Sequence, residues 1–283
     1  MSGGSTDQFF SVPEAQLQEQ LQETTVDPRR MEIFIEAMMP PGPEHLRRLE
    51  EEALADKVPI IRPQTRNLIR FFIKMKKPTR ILEVGTAVGF SALFMQYYAP
   101  PGCSIVTIEK DPSRAALARR NIAGYGGAGT DNSGGKPAGI SVEEAVESVG
   151  KPARSLRGEP GADGGASIEV LEGDAAQILK EIREDASFDL IFMDAAKGQY
   201  IRFLPDVLRL LRDGGILITD NILQEGDVLS SRFAVTRRNR TIHSRMREYV
   251  RALAEEPSLE TLLLPAGDGT AVCVKTSGSC TQF

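Results

Sequence analysis

The sequence predicts an α/β fold: a doubly wound, mostly parallel seven-stranded sheet with an antiparallel hairpin at its C-terminal end. Three observations predict it. Short apolar runs recur from residue 81 onward, stretches of helical length and pattern separate them, and two closing β runs flank one Gly-rich turn.

The runs are 81–84, 105–109, 168–171, 188–194 and 215–221. Each is almost continuously apolar and bounded by turn residues, the pattern of a strand covered on both faces. Residues 91–98, 112–122, 175–182 and 199–211 lie between them and read as helices, and that alternation implies a parallel sheet. Residues 259–264 and 270–275 flank Pro265-Ala-Gly-Asp-Gly269 and read as the hairpin. Ahead of the first strand, 29–38, 44–56 and 64–76 read as helices, the first two parted by Pro40-Pro-Gly-Pro43, and they are expected to cap the site.

The expected organisation is a flexible tail over 1–27, cap helices over 28–78, a main domain over 79–276 and a short tail over 277–283. Residues 124–165 hold 12 of the chain's 26 glycines, so 124–166 reads as a mobile insertion with a short helix over 140–149. It is either a tolerated surface loop or a functional lid.

Composition narrows the function. At 283 residues, 41% hydrophobic and 26% charged, the chain suits one generous domain with extra segments. No run approaches the roughly eighteen apolar residues of a membrane span. Residues 1–8 lack the basic-then-apolar order of a signal peptide, so no membrane partner and a cytoplasmic location are expected. A net charge of -5 and a pI near 5.4 mean that contact with a polyanion must come from a local basic patch. Cys103, Cys273 and Cys280 have no paired metal spacing, and one or more of them is expected to be a buried free thiol; His45 and His243 read as surface groups.

The first strand runs into Glu83-Val-Gly-Thr-Ala-Val-Gly-Phe-Ser91, whose small residues let the backbone turn sharply against a ligand before a helix begins. It is not the Gly-x-Gly-x-x-Gly dinucleotide fingerprint, and Glu83 disfavours a pyrophosphate. A cationic nucleoside fits better, and S-adenosyl-L-methionine carries both an amino group and a sulfonium. Glu109 ends the second strand where a carboxylate can accept ribose hydroxyls, and Asp174-Ala175 follows the third strand, where adenine would lie.

Asp194 ends the fourth strand, with Lys197 three residues on, and Asp220-Asn221 ends the fifth. Neighbouring carboxyl ends of a doubly wound sheet converge on one crevice. Asp194, Asp220 and Asn221 are hard oxygen ligands suited to Mg²⁺ or another divalent cation, which would chelate two substrate oxygens and ease loss of a hydroxyl proton. Lys197 is a candidate general base, with chelation alone as the alternative. Isolated aspartates at strand ends also serve as helix N-caps, and that reading stays open for Asp194 and Asp220.

Taken together, the motif from Ile81 to Ser91, Phe188-Asp-Leu-Ile-Phe-Met-Asp-Ala-Ala-Lys-Gly-Gln-Tyr200 and Gly215-Ile-Leu-Ile-Thr-Asp-Asn221 resemble the catechol and caffeoyl-CoA O-methyltransferase family. The resemblance covers about residues 29 to 275, broken by the insertion. It implies a Rossmann-like methyltransferase fold, S-adenosyl-L-methionine and Mg²⁺ as cofactors, and a homodimer. It also implies Asp194, Asp220 and Asn221 as metal ligands and Lys197 as base. The cofactor contacts implied are Ile61, Glu83, Gly85, Thr86, Ser91, Glu109, Ala175 and Asp194. Within the family, residues 194–200, 220–223 and 265–269 most resemble the bacterial tRNA 5-hydroxyuridine methyltransferases, so a wobble hydroxyuridine of tRNA is the leading expected acceptor and a small catechol or other phenol the alternative. Arg237, Arg240, Arg247 and Arg251 share one face of a helix expected over 237–253, opposite Ile242, Met246, Tyr249, Val250 and Leu253. Such a row either grips RNA phosphate or is solvated or paired with acids. The intact acidic set argues against a binding module without catalysis, and the missing third glycine argues against a nicotinamide oxidoreductase.

Overall fold

The computed structural model describes residues 28–125, 165–224, 226–229, 235–236 and 239–277. The expected N-terminal tail, nearly all of the insertion with its helix over 140–149, Arg237, Cys280 and most of the C-terminal tail lie outside them.

In chain order the elements are α1 (Pro28–Met38), α2 (Glu44–Ala55), α3 (Pro63–Lys76), β1 (Arg80–Val84), α4 (Phe90–Tyr98), β2 (Ser104–Glu109), α5 (Pro112–Tyr125), β3 (Ser167–Glu172), α6 (Ala175–Glu181) and β4 (Phe188–Met193). A 3-10 turn over Lys197–Gln199 leads into α7 (Tyr200–Leu210), β5 (Leu211–Thr219), a second 3-10 turn over Asp227–Leu229, α8 (Arg240–Glu255), β6 (Leu259–Leu264) and β7 (Thr270–Lys275). The chain divides after Pro41. In the first unit α1 leaves Ile33, Phe34, Ile35 and Met38 exposed. In the second, α2 and α3 belong to the same compact unit as the sheet.

The seven strands lie in the order β3-β2-β1-β4-β5-β7-β6. The first five run parallel, and β7 inserts antiparallel between β5 and the edge strand β6. That order puts the ends of β1, β4 and β5 side by side at the switch point where such sheets bind ligands. Alternation along the strands divides the core between two faces. Ile81, Ile105, Leu190, Phe192, Ile216, Ile218 and Val272 form one apolar cluster with Leu46, Leu49, Ile69, Ile73 and Leu93 of α2, α3 and α4. Residues of opposite register, such as Leu82, Val106, Ile191 and Leu217, are buried on the other face, where α5, α7 and α8 also contribute buried side chains.

The structure differs from the sequence reading at Leu211, at the start of α8 and at both histidines. Leu211, expected at the end of a helix, instead starts β5, because α7 stops at Leu210 and Leu211 turns straight to extended dihedrals (φ -73°, ψ 128°). The next four residues bulge, with Leu211 opposite Phe188 and Ile216 opposite Leu190; Gly214 takes φ 69°, and a Cβ on Gly215 would stand 2.7 Å from the Arg212 carbonyl oxygen. Helix α8 begins at Arg240, three residues later than expected. Its buried stripe is His243, Met246, Tyr249, Val250 and Leu253, so His243 is a core residue at 1% exposure and Ile242 is only partly buried. Four of the five apolar residues expected on that face, Met246, Tyr249, Val250 and Leu253, are buried, and His243 takes the fifth place because its ring packs. His45 is likewise half-buried, edge-on to Tyr97 at 6.0 Å.

Cys103 and Cys273 are buried free thiols, and burial pushes their pKa values up to about 12 and about 11. They are inert in that state. No helix among the described residues is long and apolar enough to cross a membrane.

Candidate active site

The turn after β1 is shaped by a close backbone approach. Gly85 takes φ 109°, and a Cβ there would stand 2.1 Å from the Asp194 carbonyl oxygen, so only glycine lets the β1 and β4 ends run together. The amides of Gly85 and Thr86 both donate to the Ile108 carbonyl, at 3.0 and 3.2 Å, and the Asp194 amide donates to Val84 O at 3.0 Å. Gly89, at φ 85°, then starts α4.

Glu83 is fully buried beneath this turn. Thr107 Oγ1 donates to its Oε2 at 2.5 Å and is itself 2.5 Å from Thr86 Oγ1. Oε1 is buried without a hydrogen bond of ordinary geometry. Loss of water raises the Glu83 pKa from 4.5 to about 7; Ser91 and Thr107 oppose the shift, while Asp194 and Glu109 add to it. A buried carboxylate with an orphaned oxygen is suited to a cationic ligand.

Glu109, at the end of β2, accepts the Ala87 amide on Oε2 at 2.8 Å and the Asp111 amide on Oε1 at 2.9 Å. It therefore ties the turn to β2 and keeps further acceptor capacity on both oxygens. Ile61 is buried in the cluster under α3, and Ala175 is buried at the start of α6. Asp174 serves the helix: its Oδ1 accepts the Ala176 amide at 2.9 Å as N-cap, and Lys110 donates to Oδ2 at 2.8 Å.

Asp194, Asp220 and Asn221 meet at the β4 and β5 ends. Asn221 Nδ2 donates to Asp194 Oδ1 at 3.3 Å, and the Asn221 amide donates to Asp220 Oδ1 at 2.9 Å. Asn221 sits at φ 60°, a left-handed conformation that asparagine tolerates better than most side chains. Neither aspartate caps a helix: α7 and the turn before it carry no side-chain cap, and Asp220 accepts from Thr65, Thr270 and Asn221. Asp194 is partly exposed, yet loss of water first, and the neighbouring Asp220 charge second, raise its pKa to about 6. Asp220, 2% exposed, is raised for the same first reason, against hydrogen bonds from Thr65, Asn221 and Thr270.

Among the described residues no three His, Cys, Asp or Glu side chains gather as a metal cluster. The set here is two carboxylates and an amide oxygen. It fits a divalent cation on its chemistry, because Asn221 touches both carboxylates and so the three oxygen-bearing side chains stand together.

Lys197 donates to Asp268 Oδ2 at 3.3 Å, which turns its amino group toward the hairpin turn. Four neighbours escaped the sequence reading. Thr65 and Thr270 reach Asp220, Asp268 reaches Lys197, and Arg245 donates to the Gly198 carbonyl at 3.1 Å. Thr65 left one signal: it lies four and eight residues before Ile69 and Ile73, a hydroxyl on the buried stripe of α3. The described arginines of the expected RNA face are all partly buried. Arg240 Nε donates to Val235 O at 3.3 Å, and Arg251 lies 3.8 Å from Glu255.

The family model described as O-methyltransferase matches residues 41–147 and 135–276. A catechol O-methyltransferase of Niastella koreensis is 26% identical over 171 residues, 60% of this chain and 61% of the relative. Caffeoyl-CoA O-methyltransferase 1 of Eucalyptus globulus is 36% identical over 114 residues, 39% of this chain and 46% of that one. The chain thus spans less than two thirds of the length of these relatives. Among solved structures, an SAH-bound methyltransferase of Podospora anserina superposes with a TM-score of 0.67 at 22% identity, covering 88% of this chain and 95% of that one. At that identity the likeness establishes the fold.

Proposed function

This chain belongs to the O-methyltransferase family, and we propose that it methylates one hydroxyl of an acceptor bearing two adjacent ring oxygens, of the catechol type. The reading takes S-adenosyl-L-methionine as methyl donor and Mg²⁺ or another divalent cation held by Asp194, Asp220 and Asn221. One observation carries it. Glu83, Asp194 and Asp220 bring three acidic side chains of raised pKa to the ends of neighbouring strands, and a cationic cofactor plus a divalent ion is the complement they lack.

When bound, the donor supplies an electrophilic methyl group and the cation supplies charge neutralisation and an anchor for two vicinal oxygens. The chain's own residues bind and orient. Glu83 Oε1 would accept from the donor's ammonium and Glu109 from its ribose hydroxyls, at the turn that Gly85 makes possible. Asp194 stands between the two sites, beside the Gly85 backbone on one side and Asn221 on the other. Holding both reactants at one crevice is itself catalytic, since it removes the cost of bringing them together. Lys197 would take the acceptor's proton as a free amine, so the Asp268 contact that orients it belongs to any account of it as base.

Relatives named for catechol and caffeoyl-CoA favour a catechol-type ring as acceptor. The row that favoured tRNA is half-buried where it is described, and Arg240 and Arg251 have partners within the chain. The test is to give the purified protein labelled S-adenosyl-L-methionine and Mg²⁺ with catechols and, separately, with tRNA bearing 5-hydroxyuridine. Label in the catechol alone is expected. Label in tRNA alone would replace this acceptor with the nucleoside, and full activity in EDTA would overturn the divalent ion.

A further inference from the structure

Asp220 is held by one oxygen. Its Oδ1 accepts from the Asn221 amide at 2.9 Å, from Thr65 Oγ1 at 3.0 Å and lies 3.3 Å from Thr270 Oγ1. A carboxylate oxygen has about two lone-pair directions, so Oδ1 is saturated and Oδ2 is the oxygen left for the crevice. The two threonines are not equivalent. Thr270 has one hydroxyl proton and a second acceptor, Ala266 O, at the shorter distance of 3.1 Å. Thr65 is fully buried and has Asp220 as its acceptor, 155 residues away in the chain. A Cβ on Gly267 would stand 3.4 Å from Thr65 Oγ1, so the hairpin turn packs over the hydroxyl.

We propose that Thr65 is a positioning residue for the divalent-ion site, fixing Asp220 by Oδ1 so that Oδ2 alone serves as the ligand oxygen. Packing explains the position less well. Ile69 and Ile73 continue the same stripe, and an aliphatic side chain at 65 would fill it without burying a hydroxyl. The hydrogen bond makes α3 part of the site although none of its residues lies at a strand end. Partners that orient metal ligands in this way are worth about 10-fold to 100-fold in metal affinity.

The inference rests on the divalent-ion reading above, and the test separates the two. Mn²⁺ binding to the purified protein, followed by electron paramagnetic resonance without acceptor, is compared among wild type, Thr65→Val, Thr65→Ser and Thr270→Val. Thr65→Val is expected to weaken Mn²⁺ by about 10-fold to 100-fold, Thr65→Ser to stay near wild type and Thr270→Val to lose less than Thr65→Val. Binding of S-adenosyl-L-methionine in equilibrium dialysis is expected to be unchanged throughout. Equal Mn²⁺ affinity in Thr65→Val overturns the proposal, as does an equal loss in Thr65→Ser, which would assign the effect to packing. Wild type that takes up no Mn²⁺ overturns the ion reading and the positioning role with it. If Thr65→Val does not fold, Thr65→Cys replaces it, its weaker donor placing the affinity below that of Thr65→Ser; equality with Thr65→Ser overturns the proposal.

Discussion

An aspartate stands at each end of β4, and the chain treats the two in opposite ways. Asp189, fully buried near the start, accepts on Oδ2 from the Thr79 amide at 2.7 Å, the Thr79 hydroxyl at 2.8 Å and the Arg80 amide at 3.0 Å, while the Arg212 guanidinium pairs with its Oδ1. Asp194, just past the end, accepts one side-chain hydrogen bond, from Asn221 at 3.3 Å, and faces the charge of Asp220. The carboxylate that holds the fold receives three hydrogen-bond donors on one oxygen and an ion-pair partner on the other. Asp194 is left short of them, and its raised pKa registers the deficit. The backbone follows the same division: Gly85, Ala87, Gly89 and Asn221, all at positive φ, gather where β1 and β5 leave the sheet.

The largest expected effect is on activity. Asp194→Asn should lower methyl transfer by about 10³-fold, the scale of several kcal/mol of lost charge stabilisation, while leaving chemical denaturation unchanged or shifted to higher stability because repulsion from Asp220 is relieved. Equal loss of stability and activity would erase the contrast with Asp189. Asp189→Ala should do the reverse and cost about 1–3 kcal/mol in urea unfolding, since the Thr79 and Arg80 donors lose their acceptor while the half-exposed Arg212 regains water. Unfolding at the wild-type midpoint would show that the lock is ornamental. Gly85→Ala probes the join between the two regions: the added Cβ meets the Asp194 carbonyl, so about 2 kcal/mol of stability should go together with most cofactor binding, read by equilibrium dialysis. Retention of either would mean that the strand ends can part.

The smallest effect sharpens the comparison through pH. The Glu83 pKa is raised in the folded state, from 4.5 to about 7, so the stability it contributes is full below about pH 4.5 and is lost as pH rises through about 7. Unfolding of the protein without cofactor should therefore show stability falling over that window, and Glu83→Gln should flatten the slope. Cofactor affinity should move the other way, rising about tenfold from pH 6 to pH 8 as the carboxylate form becomes available. Affinity independent of pH would separate Glu83 from the cationic part of the ligand.

Much of this site was legible from residue order. The strands, the Glu83 to Gly89 turn, Glu109 and the Asp194, Asp220 and Asn221 set all fall at ends of apolar runs, where chain direction alone brings them to one edge. Asp174 was placed correctly along the chain, but the sequence did not tell that Lys110 and the α6 amide would occupy its carboxylate. On α8 the apolar face was legible from Met246, Tyr249, Val250 and Leu253, although His243 packs where Ile242 was expected; the contacts of Arg240 with Val235 and of Arg251 with Glu255 were not legible.

By itself the sequence determined the order of strands and helices, the acidic residues at the strand ends and the glycine that lets β1 meet β4, because periodicity and steric demand are local properties of the chain. Only the tertiary structure decided what each acid meets. Thr65 with Asp220, Asp268 with Lys197 and Arg212 with Asp189 join residues separated by 155, 71 and 23 positions, and no local pattern encodes such pairs. Partners are set by packing, and packing here divides acids that hold the sheet together from acids left ready for a cation.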